Sequence, residues 1–182
     1  LNPDIWYVAT NNGRFFRSYD GGMQFEEAES YVPGSHYLYG ACILPSKFDD
    51  QVLYLSGSGY STAGVVKSTD GGLTFTPMNI GLPQTMVFGM AANEDESVIF
   101  AATEAGPWAY IQELDQWFDI AGKIAPTQTY WTVEYVQSIK TARYGTYGRG
   151  IWDLEIKEST VNTSLTSNEN FSFEIYPNPV GS

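Results

Sequence analysis

An all-β fold made of repeated four-stranded units is predicted by three observations. A short motif occurs twice, as Ser18-Tyr19-Asp20-Gly21-Gly22-Met23-Gln24-Phe25 and as Ser68-Thr69-Asp70-Gly71-Gly72-Leu73-Thr74-Phe75, its aspartates 50 residues apart. Four segments also align: IWYVATNNGRFFRS from Ile5, VLYLSGSGYSTAGVVKS from Val52, VIFAATEAGPWAYI from Val98 and TARYGTYGRGIWDLEI from Thr141. Thr10, Gly57, Thr103 and Thr146 mark equivalent points in them, spaced by 47, 46 and 43 residues. Composition agrees, since 18 glycines and 9 prolines without sustained apolar heptads suit strands and turns rather than helices. Short strands recurring at this period are the signature of β-propeller blades.

Each aligned segment reads as a strand, a Gly-rich turn and a second strand. Ahead of three of them lies another short apolar strand, at Tyr37–Ile43, Met86–Ala92 and Trp131–Val136. The doubled motif and an outer strand follow the first two. A degenerate version, Glu113-Leu114-Asp115-Gln116-Trp117-Phe118, follows the third, with Trp117 keeping the aromatic role while the glycines are lost. A blade is therefore four antiparallel strands, A innermost and D outermost. The first repeat has no strand A, because Leu1-Asn2-Pro3-Asp4 matches the A-to-B turn at Pro45–Asp50. The last stops after strand C at Ile151–Ile156. The expectation is 14 strands over residues 1–156, in three to four blades forming the C-terminal part of a larger propeller.

The motif reads as a turn. An aspartate can accept hydrogen bonds from the backbone N–H groups just ahead of it. Paired glycines supply the positive φ that a tight hairpin needs. The serine hydroxyl adds a local bond to the backbone. Phe25 and Phe75 return the chain to the layer between blades, where large rings bury well. Each copy offers one carboxylate, whereas a calcium site gathers several oxygen ligands, so no metal and no cofactor is expected. These residues resemble the Asp-box, or BNR repeat, of sialidases, xyloglucanase-type glycosidases and sortilin-like propellers. The resemblance covers residues 1–156. It implies that Ser18, Asp20, Gly22 and Phe25, with Ser68, Asp70, Gly72 and Phe75, are structural and lie away from the ligand face.

After Ile156 the composition changes. Residues 157–170 form a polar linker rich in Ser, Thr and Asn. Phe171, Phe173 and Ile175 then alternate as in a fresh strand, followed by Tyr176-Pro177-Asn178-Pro179. Two prolines would each remove a ladder donor, so residues 171–182 are expected to open a separate domain and not to add a fifteenth strand. The segment resembles the start of the type A C-terminal sorting domain of the type IX secretion system, a small β-sandwich. That resemblance implies a secreted or cell-surface cargo of a diderm bacterium, with the outer-membrane export machinery as a partner.

Nine Lys and Arg against 21 Asp and Glu give a net charge of −12. No basic stripe exists to hold nucleic acid or an anionic membrane surface. No run of about 18 apolar residues is present, so no membrane-spanning helix is expected. The single Cys42 cannot form an intramolecular disulfide and reads as a small packed hydrophobe. The single His36, six residues upstream, has nothing beside it to mark a catalytic dyad.

Candidate ligand contacts fall on the B-to-C and D-to-A loops, which hold Asn11, Asn12, Tyr31, His36, Tyr60, Ser61, Glu104, Tyr130, Trp131, Tyr147 and Arg149. Tyr60, Glu104, Trp131, Tyr147 and Arg149 stand out, because aromatic rings beside polar groups can stack on sugars or grip a peptide. Glycoside hydrolysis normally needs two carboxyl groups about 5–5.5 or 6.5–9.5 Å apart, and Glu104 is the one clear carboxylate on this face. No catalytic residue is assigned. The two readings are a non-catalytic binding or adhesion module for a polysaccharide or protein ligand, and a BNR-type hydrolase whose catalytic groups lie in other blades. In both, the rest of its own propeller is a partner of this chain.

Overall fold

The structure is a computed structural model. It describes residues 2–29, 40–122, 125–158 and 171–177, the last segment and residues 156–158 by their backbone. It is all-β, with four antiparallel sheets that follow one another as propeller blades. Blade 1 holds β1 (Trp6–Ala9), β2 (Phe15–Ser18) and β3 (Glu26–Glu27). Blade 2 holds β4 (Cys42–Pro45), β5 (Leu53–Ser56), β6 (Val65–Ser68) and β7 (Thr76–Pro77). Blade 3 holds β8 (Val87–Ala92), β9 (Val98–Thr103), β10 (Gly106–Ile111) and β11 (Gln116–Asp119). Blade 4 holds β12 (Tyr130–Val136), β13 (Thr141–Thr146), β14 (Ile151–Glu158) and β15 (Phe171–Pro177). Every sheet is a simple meander, each strand paired with the next in sequence.

The core lies between blades, as period-2 alternation demands of sheets apolar on both faces. Between blades 1 and 2, Phe15 packs on Leu53 and Leu55, flanked by Tyr7, Ala9 and Phe75. Between blades 2 and 3, Tyr54 and Val65 meet Ile99, Ala101, Tyr110 and Trp117. Between blades 3 and 4, Phe100, Ala102 and Ile111 meet Tyr130, Ala142, Tyr144 and Leu154. Tyr144 is fully buried, and desolvation pushes its phenol well above the ordinary range.

A buried carboxylate ties the A-to-B turns of blades 2 and 3. Glu96 is 8% exposed and accepts from Ser46 Oγ at 2.6 Å and from the Lys47 N–H at 2.6 Å. Its backbone is left-handed, with φ 58°. Glu96→Ala leaves the Ser46 and Lys47 donors without this acceptor. It is expected to cost about 1–3 kcal/mol, read as a lower midpoint in thermal or urea unfolding; an unchanged midpoint would show that the bridge carries no stability.

Four expectations are corrected. The tail adds a fifteenth strand: β15 pairs with β14 from Glu158↔Phe171 to Trp152↔Pro177, in the strand-D position of blade 4. Without it β14 would be an open edge, and the alternating 171–175 segment satisfies that ladder. Pro177 sits at the very end of an outer edge strand, where a missing N–H costs least. The rest of the proposed sorting motif, Asn178 and Pro179, lies outside the described residues. Phe25 is 45% exposed, because no described sheet lies on its side of blade 1, whereas Phe75 packs edge-on against Phe15 at 5.0 Å. Among the described residues the inner strand of blade 2 is Cys42–Pro45, so that of the expected Tyr37–Ile43 the residues 40 and 41 are not strand, while residues 30–39, with Tyr31, His36 and Tyr37, lie outside the described residues. Pro45 belongs to that strand and not to the turn, paired with Leu53. Cys42 is half-buried, its thiol pushed up by desolvation, and its Sγ lies 3.9 Å from the Met90 carbonyl oxygen.

Candidate functional site

The two doubled motifs form matching turns. In the first, Asp20 Oδ1 accepts from the Gln24 N–H at 2.9 Å and from Ser18 Oγ at 2.7 Å, while the Gly22 N–H donates to Ser18 Oγ at 3.0 Å. In the second, Asp70 Oδ1 accepts from the Leu73 and Thr74 N–H groups at 3.0 and 2.9 Å and from Ser68 Oγ at 2.8 Å. The Gly72 N–H donates to Ser68 Oγ at 2.8 Å. Desolvation alone would raise the Asp70 carboxyl, but the bonds from Thr74, Ser68 and Leu73 outweigh it and hold the group at about 2. Gly71 and Gly72 take φ +68° and +88°, and a Cβ on Gly71 would collide with Tyr19 Oη of blade 1. In the degenerate copy, Asp115 itself adopts the left-handed backbone, φ 49°, and accepts from Tyr110 Oη. The aspartate hydrogen bonds seen here are made inside the turns. Among the described residues no cluster of three or more His, Cys, Asp and Glu could hold a metal ion.

The opposite ends of the blades carry the B-to-C and D-to-A loops, and here two β-bulges matter. The β8–β9 register slips between Val87 and Gly89, and the β12–β13 register slips between Tyr130 and Thr132. The extra residues are Phe88 and Trp131. A bulge re-aims its side chain out of the ladder, and the two rings meet with centroids 4.2 Å apart at 46°. Trp131 remains 46% exposed. Phe88 was not singled out by the sequence reading, although a signal was present: it precedes Thr103 by 15 residues, as Trp131 precedes Thr146.

Tyr60 and Glu104 come from loops of different blades and are brought together, Tyr60 Oη donating to the Glu104 carboxylate. This bond raises the Tyr60 phenol. Glu104 is placed by its own N–H, which donates to the Met86 carbonyl at 3.0 Å, two residues before Phe88. Next to Tyr60, the loops at 59–64 and 79–84 enclose a hollow of about 230 Å³ lined by Ser61, Thr62, Asn79, Leu82, Pro83 and Gln84. The buried Thr62 Oγ1 has no hydrogen-bond partner among the described residues.

Tyr147 projects from the β13–β14 turn, 77% exposed, its N–H bonded to the Thr129 carbonyl at 3.2 Å. Arg149 serves that turn through its backbone, donating to Thr146 Oγ1 at 3.2 Å and accepting from Trp152 Nε1 at 3.1 Å. Asn12 is a turn residue, accepting from Thr10 Oγ1 at 2.5 Å, and Asn11 is exposed beside it. Tyr130 is not a surface contact. It is fully buried against Tyr144, donates to the Pro126 carbonyl at 3.0 Å, and is pushed up to about 12, mainly by desolvation. Asp119, at the end of β11, accepts from the Ala121 N–H at 2.8 Å.

No family model matches the sequence, and no curated protein matches it. Solved structures do. The GH74 enzyme of Niastella koreensis aligns over 85% of this chain and 26% of its own length, with 21% identity and a TM-score of 0.65. An ancestral GH74 enzyme aligns over 92% and 23%, with 18% identity and a TM-score of 0.67. The extracellular domain of BT4673 from B. thetaiotaomicron, a putative one-component system, aligns over 84% and 20%, with 20% identity and a TM-score of 0.60. At these identities the likeness shows the fold, which is that of β-propeller blades. The chain spans about a quarter of the length of these three neighbours. Among the described residues no helix is long and apolar enough to cross a membrane.

Proposed function

We propose that these blades are part of an extracellular, non-catalytic binding module whose loop face holds a polysaccharide or a protein segment. One observation carries the reading: equivalent bulges in two successive blades aim Phe88 and Trp131 out of their ladders into a tilted, partly exposed aromatic pair. Flat rings at a solvent boundary suit a ligand with apolar faces and polar edges. Tyr60, Glu104 and Tyr147 supply hydrogen-bonding groups on the same loop side. Trp131→Ala is expected to weaken ligand binding roughly 10-fold, about the worth of one stacked ring, without changing the thermal midpoint. Isothermal titration against a panel of polysaccharides and extended peptides checks it; unchanged affinity in the variant would remove the aromatic pair from the site.

The second reading is a glycoside hydrolase, favoured by the likeness to GH74 enzymes, one of them a xyloglucanase from Xanthomonas campestris. In this reading the catalytic groups lie in other blades, and Glu104 is the one clear carboxylate on the loop face of this chain. Release of reducing ends from a polysaccharide by the full-length protein would establish hydrolysis and defeat the binding-only reading.

Export by the type IX route is proposed on the match at Tyr176, Pro177, Asn178 and Pro179 alone. A fluorescent reporter carrying the natural linker and the complete segment that follows it tests this. Export of the parent protein that survives deletion of that segment would end the proposal.

A further inference from the structure

The hollow beside Tyr60 is not used by the aromatic pair, and it is a built feature of the fold. Its walls are the turn between β5 and β6 and the crossing from β7 to β8. Hydrogen bonds lock the two together. The Gly57 N–H donates to the Gly64 carbonyl at 3.1 Å, the Val87 N–H to the Gly57 carbonyl at 2.9 Å, and Ser56 Oγ to the Val87 carbonyl at 3.2 Å. Gly59 and Gly64 make the close approach possible. A Cβ on Gly59 would stand 2.4 Å from the Thr85 carbonyl oxygen, and one on Gly64 would stand 3.1 Å from the same atom. In the crossing, the Leu82 N–H donates to the Asn79 carbonyl at 3.2 Å and fixes that wall as a turn.

This corner also gathers unsatisfied polar groups. Among the described residues, four buried side-chain polar atoms have no hydrogen-bond partner, and two of them are Ser58 Oγ and Thr62 Oγ1 of this one turn. Ser58 is 1% exposed. Buried polar atoms are otherwise paired almost throughout, so two orphans in one turn mark a place where a further molecule completes the bonding. Thr62 lines the hollow itself, with Ser61, Asn79 and Gln84, and each of these side chains can both donate and accept. Leu82 and Pro83 add a small apolar wall. No Lys, Arg, Asp or Glu is among the described lining residues, so neither an anion nor a cation meets its opposite charge there.

A fitting ligand is therefore small, neutral and rich in groups that both donate and accept. The volume of about 230 Å³ lies below the ~300–1,000 Å³ of pockets that enclose a drug-sized molecule, so a single ring fills it. A peptide side chain of that size brings one hydroxyl or one amide and leaves the other lining groups unpaired. A sugar ring brings a hydroxyl on most of its carbons, and a C–H face for Leu82 and Pro83. We propose that the hollow is a pocket for one neutral sugar unit, bound through Thr62, Asn79 and Gln84. This rests on the loop-face reading above and names its ligand, a neutral polysaccharide that enters the hollow with a branch or a chain end. Gln84 precedes Phe88 by four residues, so their Cα atoms are at most about 14 Å apart. One oligosaccharide can reach both the hollow and the aromatic pair.

The test exposes the full-length protein to an array of neutral oligosaccharides, uronate-bearing oligosaccharides and extended peptides, then titrates the tightest neutral ligand calorimetrically. Neutral oligosaccharides are expected to be retained. Thr62→Val is expected to weaken the tightest of them roughly 10-fold, the worth of one hydrogen bond. Its thermal midpoint should stay level or rise, because an orphan hydroxyl has been removed. Ser61→Phe, which fills part of the hollow, should weaken binding further. The free monosaccharide should compete far more weakly than the oligosaccharide, since it cannot reach the aromatic pair; equal competition would overturn the branch-or-end assignment. An array that retains nothing, or only peptides or uronates, overturns the proposal. Neutral binding unaltered in Thr62→Val and Ser61→Phe but weakened in Trp131→Ala overturns the pocket and leaves the loop-face reading standing. Weakening in Thr62→Val but not in Trp131→Ala supports the pocket and removes the aromatic pair from the site.

Discussion

Trp117→Ala is expected to lower the thermal midpoint by roughly 6–20 °C, about 3–5 kcal/mol for emptying a large buried site in a chain of this size. Trp117 is 1% exposed and sits in the core between blades 2 and 3, with Tyr110 at 5.4 Å. Its Nε1 donates to the Met78 carbonyl at 2.8 Å, and its own N–H donates to the Ile80 carbonyl at 2.9 Å. The truncation opens a cavity and strips one blade-to-blade hydrogen bond, while the backbone bond survives. Trp117→Phe helps to apportion the two effects, since it keeps a six-membered ring, leaves a smaller cavity and removes the indole donor, whose loss costs about 1–2 kcal/mol. Differential scanning calorimetry on the pair checks the ranking. An alanine variant melting within a degree or two of the parent would mean that the blades do not unfold as one cooperative unit.

The second large effect belongs to Asp70. Asp70→Ala leaves the Leu73 and Thr74 N–H groups without their acceptor and is expected to cost about 1–3 kcal/mol. Its pH signature is distinctive. The folded carboxyl titrates at about 2, below the ~3.9 of an unfolded aspartate. A depressed folded pKa means that the carboxylate's contribution is complete above the unfolded value and is lost as pH falls through the folded one. Stability of the parent should therefore drop between about pH 4 and pH 2 by more than that of Asp70→Asn, which keeps an oxygen acceptor but no titrating group. Urea unfolding of both proteins across that range measures the difference, and parallel curves would show that Asp70 contributes nothing specific to the acid transition. Asp20 is arranged in the same way but is more exposed, so its replacement should cost less.

The all-β blade architecture was legible because it rests on local rules. The Ser–Asp–Gly–Gly turns announce themselves, since their hydrogen bonds close within a few residues and their glycines are needed for positive φ. The strands B and C around each Gly-rich turn were equally plain from alternation. The degenerate third turn was found through Trp117, although the compensating left-handed Asp115 could not be read, because a non-glycine there is held by its neighbours and not by its own preference. The candidate site was legible only in pieces. Tyr60, Glu104 and Trp131 were named from loop placement, but a hydrogen bond between loops of two blades is a fact of packing. Phe88 was passed over because it lies in an apolar strand, and only the bulge turns it from a core residue into half of an exposed aromatic pair. Tyr130, beside Trp131 in sequence, reads as a surface residue and is buried, because the equivalent bulge of blade 4 separates the two side chains.

The sequence by itself determined the repeat, the strand order within each blade and the chemistry of the turns, all of which depend on residues near one another in the chain. Tertiary structure alone decided where the tail goes and which faces are covered. The alternating segment at 171–177 carries the pattern of any half-buried strand, and only the open edge of β14 fixed its partner. Phe25 and Phe75 occupy the same place in the same motif, yet one ring is exposed and the other packed. The difference lies in whether a neighbouring blade brings Phe15 against it, and burial is a property of two surfaces while a sequence motif describes one.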